Sequence, residues 1–280
     1  MMRVSVHGGH SGEFCCHAKN TLEAVVLAYI DRGFAWFGLT EHMPPPDNRF
    51  RYPDEIAAGF DAVKLYDRFA RYMAAARHLQ QKYAGTARIL VAFETEAYTG
   101  APVFAAALRR TFRPDYVVGS VHHVNDIPID ATADQYRQSA AISGGIDGLY
   151  RDYFDRQYEM LCVLKPEVVG HFDLIRIFDP AYRDRLENPE IRDRIRRNLA
   201  LIREENMILD YNVRALAKGM TEPYVSASIL REARRMGIAV VPGDDAHGVD
   251  DVGLNIDEGM AALRAAGFDT AWRMPSPKVP

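Results

Sequence analysis

Cysteine is sparse in this 280-residue chain: three in all, two of them adjacent at Cys15 and Cys16. Such a set makes no disulfide framework, and a reducing cytoplasmic compartment is expected. Long apolar runs are missing as well. None approaches the ~20 residues that a membrane-spanning helix needs, and the opening MMRVSVHGGH lacks the apolar core of a secretory signal. An excess of positive charge is also lacking. Lys and Arg number 34 against 38 Asp and Glu, for a net charge of −4 and a pI near 6.1. That balance argues against a nucleic-acid partner. The basic run Arg192–Arg197, interrupted by Asp193, reads as a solvated helix face. There is no short repeat, low-complexity tract or clear linker. One domain over residues 1–280 is expected, with a core at 1–270 and a loose tail at 271–280.

Against this ordinary background, 48% hydrophobic and 26% charged, apolar β-branched runs alternate with amphipathic stretches. Strands are expected at 3–7, 35–40, 88–94, 115–123, 167–171, 207–212 and 238–243. A helix over 20–33 carries Leu22, Val25, Val26, Tyr29 and Ile30 on one face, with Asn20 and Glu23 as a capping box and Gly33 as the stop. PPPDNRFRYP at 44–53 reads as a loop. Further helices are expected at 55–83 with a break near Gly59, at 149–164, at 188–205, from Ser226 to Gly237, and at 256–266. Residues 125–148 read as a long excursion. Sevenfold β–α alternation implies a parallel sheet wrapped in helices.

Histidine is scarce, and seven of the nine fall where a strand runs out or just beyond: His7, His10, His17, His42, His122, His171 and His247. Glu94 and Asp245 sit at equivalent places. Ligand candidates follow six of the seven strands, which favours a closed or nearly closed barrel over an open sheet with one switch point. Nitrogen and oxygen donors in such numbers suit Zn²⁺, Mn²⁺ or Fe²⁺. Nine candidates exceed one ion's needs, so two or three ions sharing carboxylates are expected, and such clusters mostly catalyse hydrolysis or phosphoryl transfer.

Local pattern sorts the neighbours. Gly8 and Gly9 allow the chain to turn so that His7 and His10 converge. Glu96 shares a face with Glu94 and is expected in an outer shell. Of His122 and His123, and of Asp244 and Asp245, one member each should face the ions, since strand side chains alternate. His78 lies on a helix without nearby donors and reads as packing. Cys15 and Cys16 are expected to line a pocket or fill the core.

The stretches HGGHSGEFCCHA, GLTEHMPPP, FETEAYTG, VVGSVHHV, VVGHFDLIR, LDYNVRALAKG, TEPYVSASIL and GDDAHGVDDVG carry a resemblance. Together, over about residues 4–256, the chain resembles the polymerase-and-histidinol-phosphatase (PHP) superfamily, specifically its histidinol-phosphate phosphatases. The resemblance implies an α/β fold, a distorted (β/α)7 TIM-like barrel, with a trinuclear site at the C-terminal strand ends. It implies the same nine ligands: His7, His10, His17, His42, Glu94, His122, His171, Asp245 and His247. The family's usual His-x-His opening is here His-x-x-His, Glu41 stands where aspartate is usual, and Arg214 where a smaller residue is common.

The expected reaction is hydrolysis of a phosphate monoester, histidinol phosphate, by a metal-bridging hydroxide. The alternatives are another phosphomonoester, a nucleotide or a nucleic-acid end as substrate, or a non-catalytic metal-binding module. Arg176 and Arg214 are candidate phosphate contacts. Asp245 or His247 is the candidate proton donor to the leaving alcohol. Asp173, Asn212 and Asp244 are candidates for orienting ligating imidazoles. Asp47, Asp54 and Glu55 in the 43–55 loop are candidate partners for a substrate amine.

Overall fold

In chain order the elements are β1 (Arg3–Gly9), α1 (Leu22–Asp31), β2 (Phe34–Leu39), α2 (Pro53–Ala57), α3 (Ala62–Lys82), β3 (Arg88–Glu94), α4 (Ala101–Phe112) and β4 (Tyr116–Gly119). A short hairpin, β5 (His123–Val124) and β6 (Ile127–Pro128), precedes α5 (Ala133–Ile142), α6 (Ile146–Leu164) and β7 (Val168–Val169). The chain continues through α7 (Tyr182–Leu186), α8 (Pro189–Glu204), β8 (Ile208–Asn212), α9 (Arg214–Ala217), α10 (Ala227–Arg235), β9 (Ala239–Gly243) and α11 (Ile256–Ala265). The structure is a computed structural model and describes residues 2–277.

Seven strands pair in parallel in the order β1-β2-β3-β4-β7-β8-β9. Their side chains are buried on both faces, as β-strands covered by helices require. The sheet curls until its edge strands meet. No ladder joins β9 to β1. Instead the Asp245 amide donates to His7 O at 2.8 Å, and the His10 amide to Ala246 O at 2.7 Å. The barrel is therefore nearly closed, and its last stitches are made by the segments that carry the strand-end histidines and Asp245.

The interior is packed rather than hollow. The Tyr116 hydroxyl crosses from β4 to donate to Val6 O at 2.6 Å, over Gly38, where a Cβ would collide with it. From α3, the Tyr72 hydroxyl reaches Leu39 O and Ala92 O at 2.7 and 2.6 Å, pinning the helix across β2 and β3. Among the described residues no helix is long and apolar enough to cross a membrane.

Several boundaries differ from expectation. The fourth strand stops at Gly119 instead of running to 123. His123 joins the antiparallel hairpin, which turns on Asn125 and Asp126, at φ 56° and 59°. The fifth strand shortens to Val168–Val169. The excursion at 125–148 contains α5, capped by the Thr132 side chain accepting from the Gln135 amide at 3.2 Å. Its mixed composition hid the helix, since its buried positions are only Tyr136, Ser139 and Ala140. Helix α4 also went unread.

The cap of α1 is Thr21, not Asn20. Asn20 takes φ 67° and accepts from the Val249 amide, while Glu23 turns to Lys82 and Tyr83. Ser226 precedes α10 as expected, but its hydroxyl donates to Asp173 and makes no cap bond. The break near Gly59 is present, and α3 restarts at the Asp61 cap. The tail expected to be loose is anchored at its start: Trp272 is buried and donates to Met2 O, and Arg273 bonds Asn206. Residues 278–280 of that tail lie outside the described residues.

Candidate metal centre

Nine strand-end side chains converge at one mouth of the barrel. β1 delivers His7 and His10, which are fully buried with ring centroids 5.9 Å apart. The glycines between them matter through space. A Cβ on Gly8 would meet Gly38 of β2, and one on Gly9 would meet Val25 of α1. Neither takes a left-handed conformation, so close approach of chain segments, not a turn, explains both.

Glu94, at the end of β3, is the hub. One oxygen lies 2.8 Å from His171 Nε2 and 3.3 Å from His122 Nε2. The other lies 3.4 Å from His7 Nε2 and 3.3 Å from His42 Nδ1. Asp245 closes the far side, 3.2 Å from His10 Nε2 and 3.8 Å from His7 Nε2. Its φ of 48° turns the chain just after β9. Asp245 then faces the imidazoles, while Asp244 faces away toward Ser5, Tyr29 and the Gly253 amide. Burial, opposed by those hydrogen bonds, pushes the Asp244 carboxyl up to about 6.

Donor atoms gather in overlapping triads: His7, Glu94 and His171; His7, His10 and Asp245; His10, His42 and His247; His42, Glu96 and His122. Cys15, His17 and His42 form another. His17 is the most exposed donor, with its ring stacked 5.1 Å from His247 and its Nδ1 3.2 Å from Asp54. Buried atoms without a hydrogen bond include His7 Nε2, both nitrogens of His10 and of His42, and Asp245 Oδ1. Stranding so many buried polar atoms is costly unless something binds them. Neutral nitrogens beside shared carboxylates are the donor chemistry of two or three divalent cations.

A second layer aims these donors. His7 Nδ1 donates to Asp210 at 2.9 Å and His122 Nδ1 to Glu96 at 3.0 Å, which leaves both Nε2 atoms facing inward. His247 Nδ1 donates to Asp245 O at 2.9 Å, freeing its Nε2. Burial, and next the neighbouring His10, hold His247 well below the usual imidazole value, so it stays neutral. Burial opposes charge on Glu94, yet His7, His122 and His42 keep its carboxyl well below the usual range. At His7 burial also opposes charge, but Glu94 and Asp245 raise the imidazole well above its usual value, so protons and cations compete for one nitrogen.

The outer candidates divide. Asn212 Nδ2 donates to Asp245 and to Asp210 at 3.2 and 3.0 Å. Asp173 and Asp244 touch no imidazole. Asp173 accepts from Ser226 and pairs with Arg176, so both expectations are corrected. Glu96 also contacts His42, His123 and the Tyr52 hydroxyl, and His123 turns away from the cluster against Tyr98 and Tyr52. Asp210 was missed, although strand alternation in ILDYN puts it on the face of Asn212. His78 is exposed on α3, and Cys15 is buried beside the cluster.

A pocket of about 460 Å³ opens over the cluster, its wall including Tyr52, Asp54, Asp130, Leu174, Arg214 and Tyr224. Arg214 bonds Asp245 O and Asp251 at 3.0 and 3.1 Å and keeps its side chain 20% exposed. Arg176 does not reach this pocket. It is fully buried, 3.2 Å from Asp173, donates to Glu222 O, and lies between the rings of Tyr182 and Tyr224. Its expected phosphate contact is corrected: the short 3₁₀ turn at Leu174–Phe178 carries it beneath the pocket floor. In the 43–55 loop, Asp47 pairs with Arg49 and Glu55 accepts from the Tyr52 amide, leaving Asp54 as that loop's carboxylate on the pocket wall.

Comparison with known proteins adds a lineage. The PHP domain family matches residues 8–214. A probable histidinol-phosphatase of Schizosaccharomyces pombe is 34% identical over 271 residues, covering 95% of this chain and 88% of its own. The histidinol-phosphatase of Saccharomyces cerevisiae is 32% identical over 288 residues, covering 90% and 85%. Among solved structures, a putative histidinol phosphatase from Listeria monocytogenes superposes with a TM-score of 0.80 at 24% identity, covering 91% of this chain and 99% of that one. A histidinol phosphate phosphatase from Lactococcus lactis, complexed with zinc, L-histidinol and phosphate, gives 0.69 at 18% identity, covering 95% and 94%. Both share the fold.

Proposed function

The chain belongs to the PHP domain family, and we propose from that premise that it is a metal-dependent phosphomonoesterase converting histidinol phosphate to histidinol and phosphate. The observation that carries this reading is the hub at Glu94. Around that one carboxylate, imidazoles from four other strand ends, three of them buried, converge under a pocket large enough for a small phosphate ester. Its relatives of 34% and 32% identity over nearly the whole chain bear histidinol-phosphatase names.

We assign His7, His10, His17, His42, Glu94, His122, His171, Asp245 and His247 to holding two or three divalent ions. When bound, such ions lower the pKa of water and neutralise phosphoryl charge. The rest is done by the chain. Asp210 and Glu96 fix the tautomers of His7 and His122. Arg214, anchored on Asp245 O, presents its remaining N–H groups to a phosphate oxygen. Burial works against charge on Asp245, but His7 and His10 keep its carboxyl well below the usual range, and burial with His10 holds His247 well below the usual imidazole value, which suits both side chains to ligation.

Phosphate release from histidinol phosphate by metal-replete protein is the direct test. Strong preference over other small phosphomonoesters, abolished by a chelator and restored by Zn²⁺ or Mn²⁺, is the expected result. Preference for a different ester would move the substrate assignment, and chelator-resistant turnover would remove the metal mechanism. Arg214→Met is expected to raise KM for the phosphate ester by about 10- to 100-fold, as loss of a charge-assisted hydrogen bond does. An unchanged KM would return Arg214 to a structural role through Asp251.

A further inference from the structure

The pocket wall carries a carboxylate that the protein leaves unmatched. Asp130 sits between β6 and α5, partly buried, and its Oδ1 is shielded from solvent with no hydrogen bond. No cation among the described residues pairs with it. Its place is set from both sides: the fully buried Ile129 donates its amide to His122 O at 2.9 Å, and Thr132 caps α5. The carboxylate therefore stands at a fixed spacing from the metal-site histidine.

Tyr224 is the second observation. It lines the same pocket, is 1% exposed, and its hydroxyl has no partner. The ring is held rigidly, by a backbone pair with Asn212 at 2.7 and 3.1 Å and by the Arg176 guanidinium 4.6 Å from its centroid. Charge on Asp130 is felt at the Tyr224 phenol, and at that of Tyr52. Two unmatched acceptors in one partly dehydrated wall are costly on their own, and a donor-rich cation removes the cost. The same lining carries Arg214 and Lys218, at the start and just past the end of α9, as cations for the phosphate. Of the other carboxylates on the lining, Glu94 and Asp245 face the clustered imidazoles and Asp54 is already paired with His17.

We propose that Asp130 and the Tyr224 hydroxyl form a subsite for the primary ammonium group of the substrate, each oxygen accepting one of its N–H bonds. The proposal rests on the phosphomonoesterase reading. It makes the enzyme selective for phosphate esters of amino alcohols over esters of the same shape without the amine.

The test compares kcat/KM for histidinol phosphate with that for its deamino analogue, 3-(imidazol-4-yl)propyl phosphate, in the wild type, Asp130→Asn and Tyr224→Phe. O-phosphoethanolamine and ethyl phosphate serve as a second matched pair, with melting temperature checked for each variant. Wild type should prefer the amine-bearing ester of each pair. Asp130→Asn should reduce that ratio by about 10- to 100-fold, mainly through KM, and Tyr224→Phe by less. A wild-type ratio near one, or a ratio untouched in Asp130→Asn, overturns the subsite. Equal losses on both members of a pair also overturn it, since they mark a general packing defect. Failure on histidinol phosphate with an amine preference kept in the second pair would sink the substrate assignment while sustaining the subsite.

Discussion

Glu94→Gln is expected to lower turnover of the phosphate ester by roughly 10³-fold or more, beyond the ~10–100-fold in metal affinity or activity that loss of an outer partner costs a metal site. The carboxylate lies within 3.4 Å of nitrogens from His7, His42, His122 and His171, and among the described residues no other side chain reaches so many donors. Glutamine keeps the size but removes the charge and one acceptor, so donors on both sides lose their common anion. Bound metal, counted by elemental analysis, should fall with activity while the circular dichroism spectrum persists. Asp210→Asn offers the contrast: the donors remain and His7 loses only its aiming partner. Wild-type metal content and rate in Glu94→Gln would mean that the ions do not bridge through this residue.

Arg176→Met is expected to destabilise the protein by about 3–5 kcal/mol, the usual cost of leaving one member of a buried ion pair uncompensated. Asp173 would keep its bonds from Ser226 but lose its cation, and Tyr182 and Tyr224 would lose the guanidinium between their rings. The melting temperature should drop by roughly 6–15 °C. KM, measured well below the transition, should change much less than in Arg214→Met. A raised KM with unchanged melting temperature would restore the phosphate contact that spacing from His171 suggested.

These two arginines show where sequence reasoning ran out. Both follow strand ends by a few residues, and both carry the chemistry a phosphate needs. Arg214 begins α9 beside Asp245 and remains at the rim, whereas the 3₁₀ turn after His171 rotates Arg176 under Tyr224. Local pattern does not encode that rotation, because it is set by how the 174–178 segment packs on Tyr182 and Glu222. Asp173 and Asp244 were misjudged for a related reason: adjacency to a ligand in sequence does not fix which side of the backbone a loop residue faces. Asp210, inside a strand, was legible by alternation, and only its burial in an apolar run concealed it.

The amino-acid order alone was enough for the barrel and for which imidazoles and carboxylates gather at its mouth. Strand and helix periodicities are local, a parallel strand end has one direction, and six such ends carrying imidazole or carboxylate can meet only at one mouth. Left to folding was everything that depends on distant segments meeting in space. Glu94 became the hub because β3 lies next to both β2 and β4 in the sheet. Asp130 and Tyr224, 94 positions apart, came to share a wall because Ile129, next to the first, hangs from the His122 carbonyl and the second pairs with Asn212 of β8. Neither residue sits in a periodic element, and their place on one lining is a property of closure of the barrel, which brings loops together that no local pattern relates.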